Sequence, residues 1–224
     1  MAQLDGPRLG PRSRGQARQL VVLLHGVGAD GADLIGFAPA LAEALPDAAF
    51  VAPDAPFPCD MAPYGRQWFS LQDRSPARLA AGVRAVEPSL RAFLEAELSR
   101  LSLPASALAL VGFSQGAMTA LHTGLRMADP PAAVLAYSGA LLAPDSLAAE
   151  IAARPPPPVL LVHGESDGVV PVAASRMAEA ALRAAGVPVE ALYIPGLDHT
   201  IDDTGLAAGV SALLRAFAPD RPGA

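Results

Sequence analysis

The chain is predicted to adopt an α/β fold, a mostly parallel sheet with helices on both faces. Three observations carry that prediction. From residue 19 onward, short apolar runs of strand length alternate with stretches of helical period, as a parallel sheet with helical crossovers requires. The runs are apolar at nearly every position, as strands covered on both faces must be. With 224 residues, 52% hydrophobic and 5% aromatic, the chain can bury one sizeable core built mainly from Ala, Leu and Val.

An arginine-bearing arm, 1–17, opens the chain and reads as flexible or as an edge strand. The first predicted strand runs from Gln19 to Leu24, a helical pattern follows at 31–45, and a second strand spans Ala48 to Ala52. A connection from Asp54 to Pro76 comes next, rich in proline and carrying Phe57, Tyr64, Trp68 and Phe69; connections of this length in compact domains tend to be functional. Beyond it the pattern predicts a helix at 77–100, a strand at Ala107 to Val111, a helix at 115–128, a strand at Ala132 to Tyr137 and a helix at 145–153. Pro155-Pro156-Pro157-Pro158 forms a stiff extended entry into a strand at Val159 to Val162. A helix at 171–186, a strand at Val189 to Ile194 and a helix at 203–217 complete a single domain, 18–218, with a short tail at 219–224.

Composition narrows the function classes. All sixteen basic residues are arginine, yet the formal net charge is −6, and the four arginines at 8, 12, 14 and 18 make at most a short basic arm, so a nucleic-acid surface is not expected. Leu20 to Leu24 is too short for the apolar core of a signal peptide, and no segment approaches the roughly 18 apolar residues of a membrane span. A single cysteine, Cys59, allows no internal disulfide, and a cytoplasmic enzyme is the simplest expectation.

The chemistry centres on Gly112-Phe113-Ser114-Gln115-Gly116, set between an apolar run and a helical pattern. A serine mounted on such a strand-turn-helix is held in strained backbone, and the flanking glycines supply the space that the turn needs. Its hydroxyl needs a base, and the base an acid to orient it. In sheets of this type the order is serine, acid, histidine, which selects His199 over His25, His122 and His163. Asp167 lies just past the end of a predicted strand, followed by Gly168, and is favoured as the acid over Glu165, Asp198, Asp202 and Asp203. Oxyanion donors are expected from the main chain of Gln115 and of Val27, the latter in the glycine-bearing turn Leu24 to Asp30. Trp68 and Phe69 are expected to wall an apolar substrate groove, with Leu24, Val169 and Val170 as further substrate contacts. His25-Gly26-Val27-Gly28 as a phosphate loop lacks the third glycine and the lysine that such loops use.

With Leu24-His-Gly-Val-Gly-Ala-Asp30, Gln67-Trp-Phe-Ser70, Gly112-Phe-Ser-Gln-Gly116, His163-Gly-Glu-Ser-Asp167 and Gly196-Leu-Asp-His199 in this order, the chain resembles the phospholipase/carboxylesterase family of small α/β-hydrolases over about residues 18–218. The resemblance implies the α/β-hydrolase fold, Ser114 as nucleophile, Asp167 as orienting acid, His199 as base, and Val27 and Gln115 as oxyanion donors. It also implies a tryptophan-bearing loop near the acyl pocket, no cofactor or metal, and often a homodimer. Asp198 departs from the uncharged residue that many members carry before the histidine.

Residues 138–158 are too few for a helical cap domain, so the site is expected to be open and its ester range broad. The expected function is a serine esterase cleaving short-to-medium-chain carboxylic esters through an acyl-enzyme. A lysophospholipase or acyl-protein thioesterase acting on longer chains is the alternative within the same chemistry, and a catalytically silent binding module the alternative outside it.

Overall fold

The computed structural model describes residues 4–218; the tail at 219–224 lies outside the described residues. A seven-stranded sheet forms the centre. Its strands are β1 (Arg8–Leu9), β2 (Gln19–Leu24), β3 (Ala48–Val51), β6 (Leu108–Phe113), β7 (Ala133–Tyr137), β8 (Val159–Gly164) and β9 (Val189–Ile194), in the order β1-β3-β2-β6-β7-β8-β9. Every pairing is parallel except β1 against β3. The order reverses beside β2 and β6, so the carboxyl ends of these strands open the crevice where such sheets place ligands.

Helices cover both faces because the strands are apolar on both. Phe93 and Leu94 of α3 (Pro76–Leu101), Leu121 of α4 (Gln115–Arg126), Leu147 of α5 (Pro144–Ile151) and Leu182 of α6 (Ala173–Ala184) pack on one face. Leu34 of α1 (Gly31–Ile35), Leu41 of α2 (Ala38–Ala44) and Leu213 of α7 (Asp203–Ala216) pack on the other. The single helix expected at 31–45 is thus two: α1 stops at Gly36, and Pro39 in the first turn of α2 suits a new helix start. Residue Ala107 belongs to a 3-10 turn, and the strand after it extends to Phe113.

The amino-terminal arm is fastened to the domain. Arg8–Leu9 pair with Phe50 and Val51 as an edge strand, and Leu4 is buried. The Arg8 guanidinium grips the buried Glu97 carboxylate of α3 at 3.2 and 2.7 Å, with Arg100 on the other oxygen at 3.1 and 2.7 Å. The long connection also carries structure: β4 (Phe57–Pro58) and β5 (Arg66–Gln67) form a small antiparallel ladder. Between β7 and β8 the only helix is the eight-residue α5, so no helical cap stands over the sheet there.

Candidate active site

The strand-turn-helix around Ser114 joins β6 to α4. Ser114 has φ 54° and ψ −117°, a left-handed conformation that a side chain rarely adopts. It is held there because its N–H donates to the Tyr137 carbonyl at 2.9 Å while its carbonyl starts α4. The two glycines are steric requirements. A Cβ at Gly112 would sit 2.3 Å from the Gly116 carbonyl oxygen, and one at Gly116 would sit 1.9 Å from that of Leu24.

Asp167 and His199 come from neighbouring loops beyond β8 and β9. Gly164 lets these loops touch, since a Cβ there would lie 2.2 Å from the Leu197 carbonyl oxygen. His199 Nδ1 is 2.6 Å from Asp167 Oδ2, and the His199 ring packs against Phe113, next to Ser114, with centroids 4.8 Å apart. The ring hydrogen bond of His199 thus runs to Asp167, and its Nε2 makes no hydrogen bond among the described residues. Asp198 plays a different part: its carboxylate accepts from the main chain of His199 at 2.8 Å and Gly168 at 3.3 Å, tying the two loops together. Asp202 caps α7 through Gly205.

The side chain of Asp167 is buried and fully engaged. Oδ1 accepts from the main-chain N–H groups of Val169 and Val170 at 2.9 and 2.8 Å. Burial alone would raise this carboxyl, but the His199 hydrogen bond and those from Val170 and Val169 outweigh it and hold it below the ordinary aspartate range. A further group escapes sequence reasoning: His163, buried at the end of β8, sits with Nε2 3.2 Å from Asp167 Oδ2 and 2.8 Å from the Val170 carbonyl. Both neighbours are acceptors, so Nε2 carries the proton and Nδ1 faces the Ser175 hydroxyl at 2.6 Å. His122 lies elsewhere, buried in α4 with Nε2 3.5 Å from Glu87.

Two main-chain donors are free beside Ser114. Gln115 is the first residue of α4, where N–H groups lack partners, and the Val27 N–H donates no hydrogen bond among the described residues. Gly28, at φ +82°, allows the turn that contains Val27, and a Cβ at Gly26 would lie 3.3 Å from the Ser114 Cβ, so the glycine lets the turn pass close to Ser114.

The structure gives Trp68 and Phe69 a different place from the groove wall expected of them. Both are buried, Trp68 completely, among the core side chains. The indole N–H donates to the His25 carbonyl at 2.9 Å. The Gln115 side chain accepts from the Trp68 N–H at 2.9 Å and donates to the Phe69 carbonyl at 2.6 Å. His25 is buried with Nδ1 2.7 Å from the Gly26 carbonyl and Nε2 accepting from Ala55 at 3.0 Å; burial lowers its pKa, consistent with this neutral tautomer. Arg66 closes the contact, accepting from Gly28 at 2.8 Å and donating to Ala29 at 2.9 Å through its main chain. The aromatic connection therefore clamps the Val27 turn. Leu24 is also corrected: it is wholly buried at the end of β2. Val169 is exposed and Val170 half-buried, and both act on Asp167 through their main chain.

A cleft of about 260 Å³ opens beside this cluster, walled by Gly26, Leu34, Phe37, Phe113, His199 and Ile201. Among the described residues, no group of three or more His, Cys, Asp or Glu side chains is arranged to hold a metal ion.

Comparison with known proteins follows the same line. The family described as phospholipase/carboxylesterase matches residues 11–214. Esterase YpfH of Escherichia coli (strain K12) is 30% identical over 190 residues, covering 85% of this chain and 79% of its own. The crystal structure of esterase PE8 superimposes with a TM-score of 0.90 at 42% identity, over 96% of this chain and 100% of that one. Acyl-protein thioesterase 2 of Zea mays shares the fold, with a TM-score of 0.72 at 24% identity over 94% of this chain and 97% of its own.

Proposed function

From the premise that this chain belongs to the phospholipase/carboxylesterase family, and is therefore a carboxylic ester hydrolase, we propose that it is a serine esterase acting through an acyl-enzyme on Ser114. One observation carries the reading: His199 is bonded to Asp167 at 2.6 Å and packed on Phe113, the residue before a serine held at φ 54°. In this mechanism His199 Nε2 takes the Ser114 proton as the hydroxyl oxygen attacks the ester carbonyl. Asp167 keeps Nδ1 protonated and stabilises the imidazolium that forms. The negative oxygen of the tetrahedral intermediate meets the Val27 and Gln115 N–H groups. His199 then returns the proton to the leaving oxygen, the carbon-oxygen bond breaks, and an alcohol departs. Water repeats the sequence on the acyl-Ser114 ester and releases the acid.

Short-to-medium acyl chains are part of the proposal, supported by the absence of a helical cap between β7 and β8. No helix of the described residues is long and apolar enough to cross a membrane. A homodimer, which the family resemblance implies, and a cytoplasmic setting, expected from the single cysteine, belong to the same proposal. A fluorophosphonate probe is expected to label the wild type and not Ser114→Ala; labelling that persists in the variant would contradict Ser114 as nucleophile. Rates on p-nitrophenyl esters of increasing acyl length separate the esterase from a long-chain thioesterase or lysophospholipase, whose optimum lies at long chains.

A further inference from the structure

We propose that the cleft beside His199 receives the leaving-group arm of the ester and selects an uncharged, apolar alcohol. The inference rests on the acyl-transfer reading of Ser114 and His199 and adds what that reading leaves open, the chemistry of the group released.

The oxygen that leaves must be protonated by His199, so its substituent departs along the His199 side of the reacting carbon. The cleft that His199 lines, with Gly26, Leu34, Phe37 and Ile201 among its other walls, offers that space. At about 260 Å³ it is smaller than the roughly 300–1,000 Å³ of drug-sized pockets, which suits a small alcohol.

Charge sets the second limit. Apart from the catalytic histidine, the one ionisable side chain lining the cleft with a fixed charge is Asp33, exposed at the rim, with Asp30 close by at the start of α1. No arginine lines it, and the chain contains no lysine. A leaving group carrying phosphate or carboxylate would therefore meet a carboxylate and no partner, and would lose its hydration against apolar walls. This disfavours phospholipid and coenzyme A-type leaving groups.

Phe113 sets the length. A small apolar void of about 20 Å³ shares Leu34, Phe37, Phe113 and Ile201 with the cleft. Phe113 is one of these shared walls, so removing its ring would enlarge the space available to the arm.

The test uses acetates, which hold the acyl group constant. Wild-type kcat/KM is expected to favour benzyl acetate over its para-carboxylate by roughly fivefold, the size of one exposed charge interaction, and added salt is expected to narrow the gap. Asp33→Asn, which keeps an acceptor for the helix cap, is expected to remove most of that preference. Phe113→Ala is expected to raise the octyl-to-ethyl acetate ratio and leave the acyl-length optimum on p-nitrophenyl esters in place. Using ratios within one variant cancels any general loss from the Phe113 contact with His199, and Ile201→Ala repeats the test without touching the elbow. Equal use of neutral and anionic acetates unaffected by Asp33→Asn, or a shift of the acyl optimum in place of the alcohol ratio, would overturn the inference while Ser114-dependent acetate hydrolysis persisted. Loss of that hydrolysis in the wild type would instead defeat the reading beneath it.

Discussion

His163 and His199 meet on one oxygen: Nε2 of His163 lies 3.2 Å, and Nδ1 of His199 2.6 Å, from Oδ2 of Asp167. His163 therefore shares with His199 the carboxylate oxygen on which the His199 ring is held. It also fixes the rotation of the carboxylate, with Val169 and Val170 holding the other oxygen.

Replacing His163 by Leu is therefore expected to lower kcat by roughly three- to tenfold with little change in KM, the worth of about one hydrogen bond. The direction follows from geometry: without the donor Asp167 loses one of the groups that fix its rotation, and His199 is held less firmly. His163→Gln, whose amide can donate from a similar position, is expected to recover part of the loss. A folded Leu variant with unchanged kcat would assign His163 to packing alone.

Trp68→Phe tests the clamp on the oxyanion turn. The ring stays in the core, but the bond from the indole N–H to the His25 carbonyl is lost. A drop in kcat of roughly three- to tenfold is expected for every acyl length, with little change in KM, because the clamp acts on the transition-state donors and not on the substrate chain. A selective loss on long chains would return Trp68 to the groove.

Arg8→Ala is expected to lower unfolding free energy by about 1–3 kcal/mol, since it leaves one oxygen of a buried carboxylate unpaired. Burial raises the Glu97 pKa, but the hydrogen bonds from Arg8 and Arg100 bring it below the ordinary value of 4.5. A carboxyl depressed in the folded state contributes stability above that ordinary value and loses it as pH falls through the folded one. Denaturant titrations should accordingly show the gap between wild type and variant at neutral pH and its closure in acid. An equal gap at all pH values would remove the ion pair from the account.

The parallel sheet was legible because β2, β3, β6, β7 and β8 are short apolar runs, as strands buried on both faces require, while the edge strand β9 is only partly buried and carries the exposed Glu190. Arg8–Leu9 has no such pattern; its pairing depends on contacts with β3 and with Glu97, far along the chain. Chain order singles out His199 and strand position Asp167, and the structure sets them within a hydrogen bond. Trp68 shows the limit. An aromatic residue in a long connection suits a groove or a core equally well, and only the burial against His25 and Gln115 separates the two. His163 carries no local signal for its contact with Asp167, because that contact is made by the loop turning back after β8.

The central claim is a covalent acyl intermediate on Ser114. Acid quenching during steady-state turnover of p-nitrophenyl acetate, followed by peptide mass spectrometry, tests it most directly. The account predicts a gain of one acetyl group on the peptide containing Ser114, absent from Ser114→Ala. Acetyl found on another residue, or hydrolysis that continues at the wild-type rate in Ser114→Ala, would contradict it.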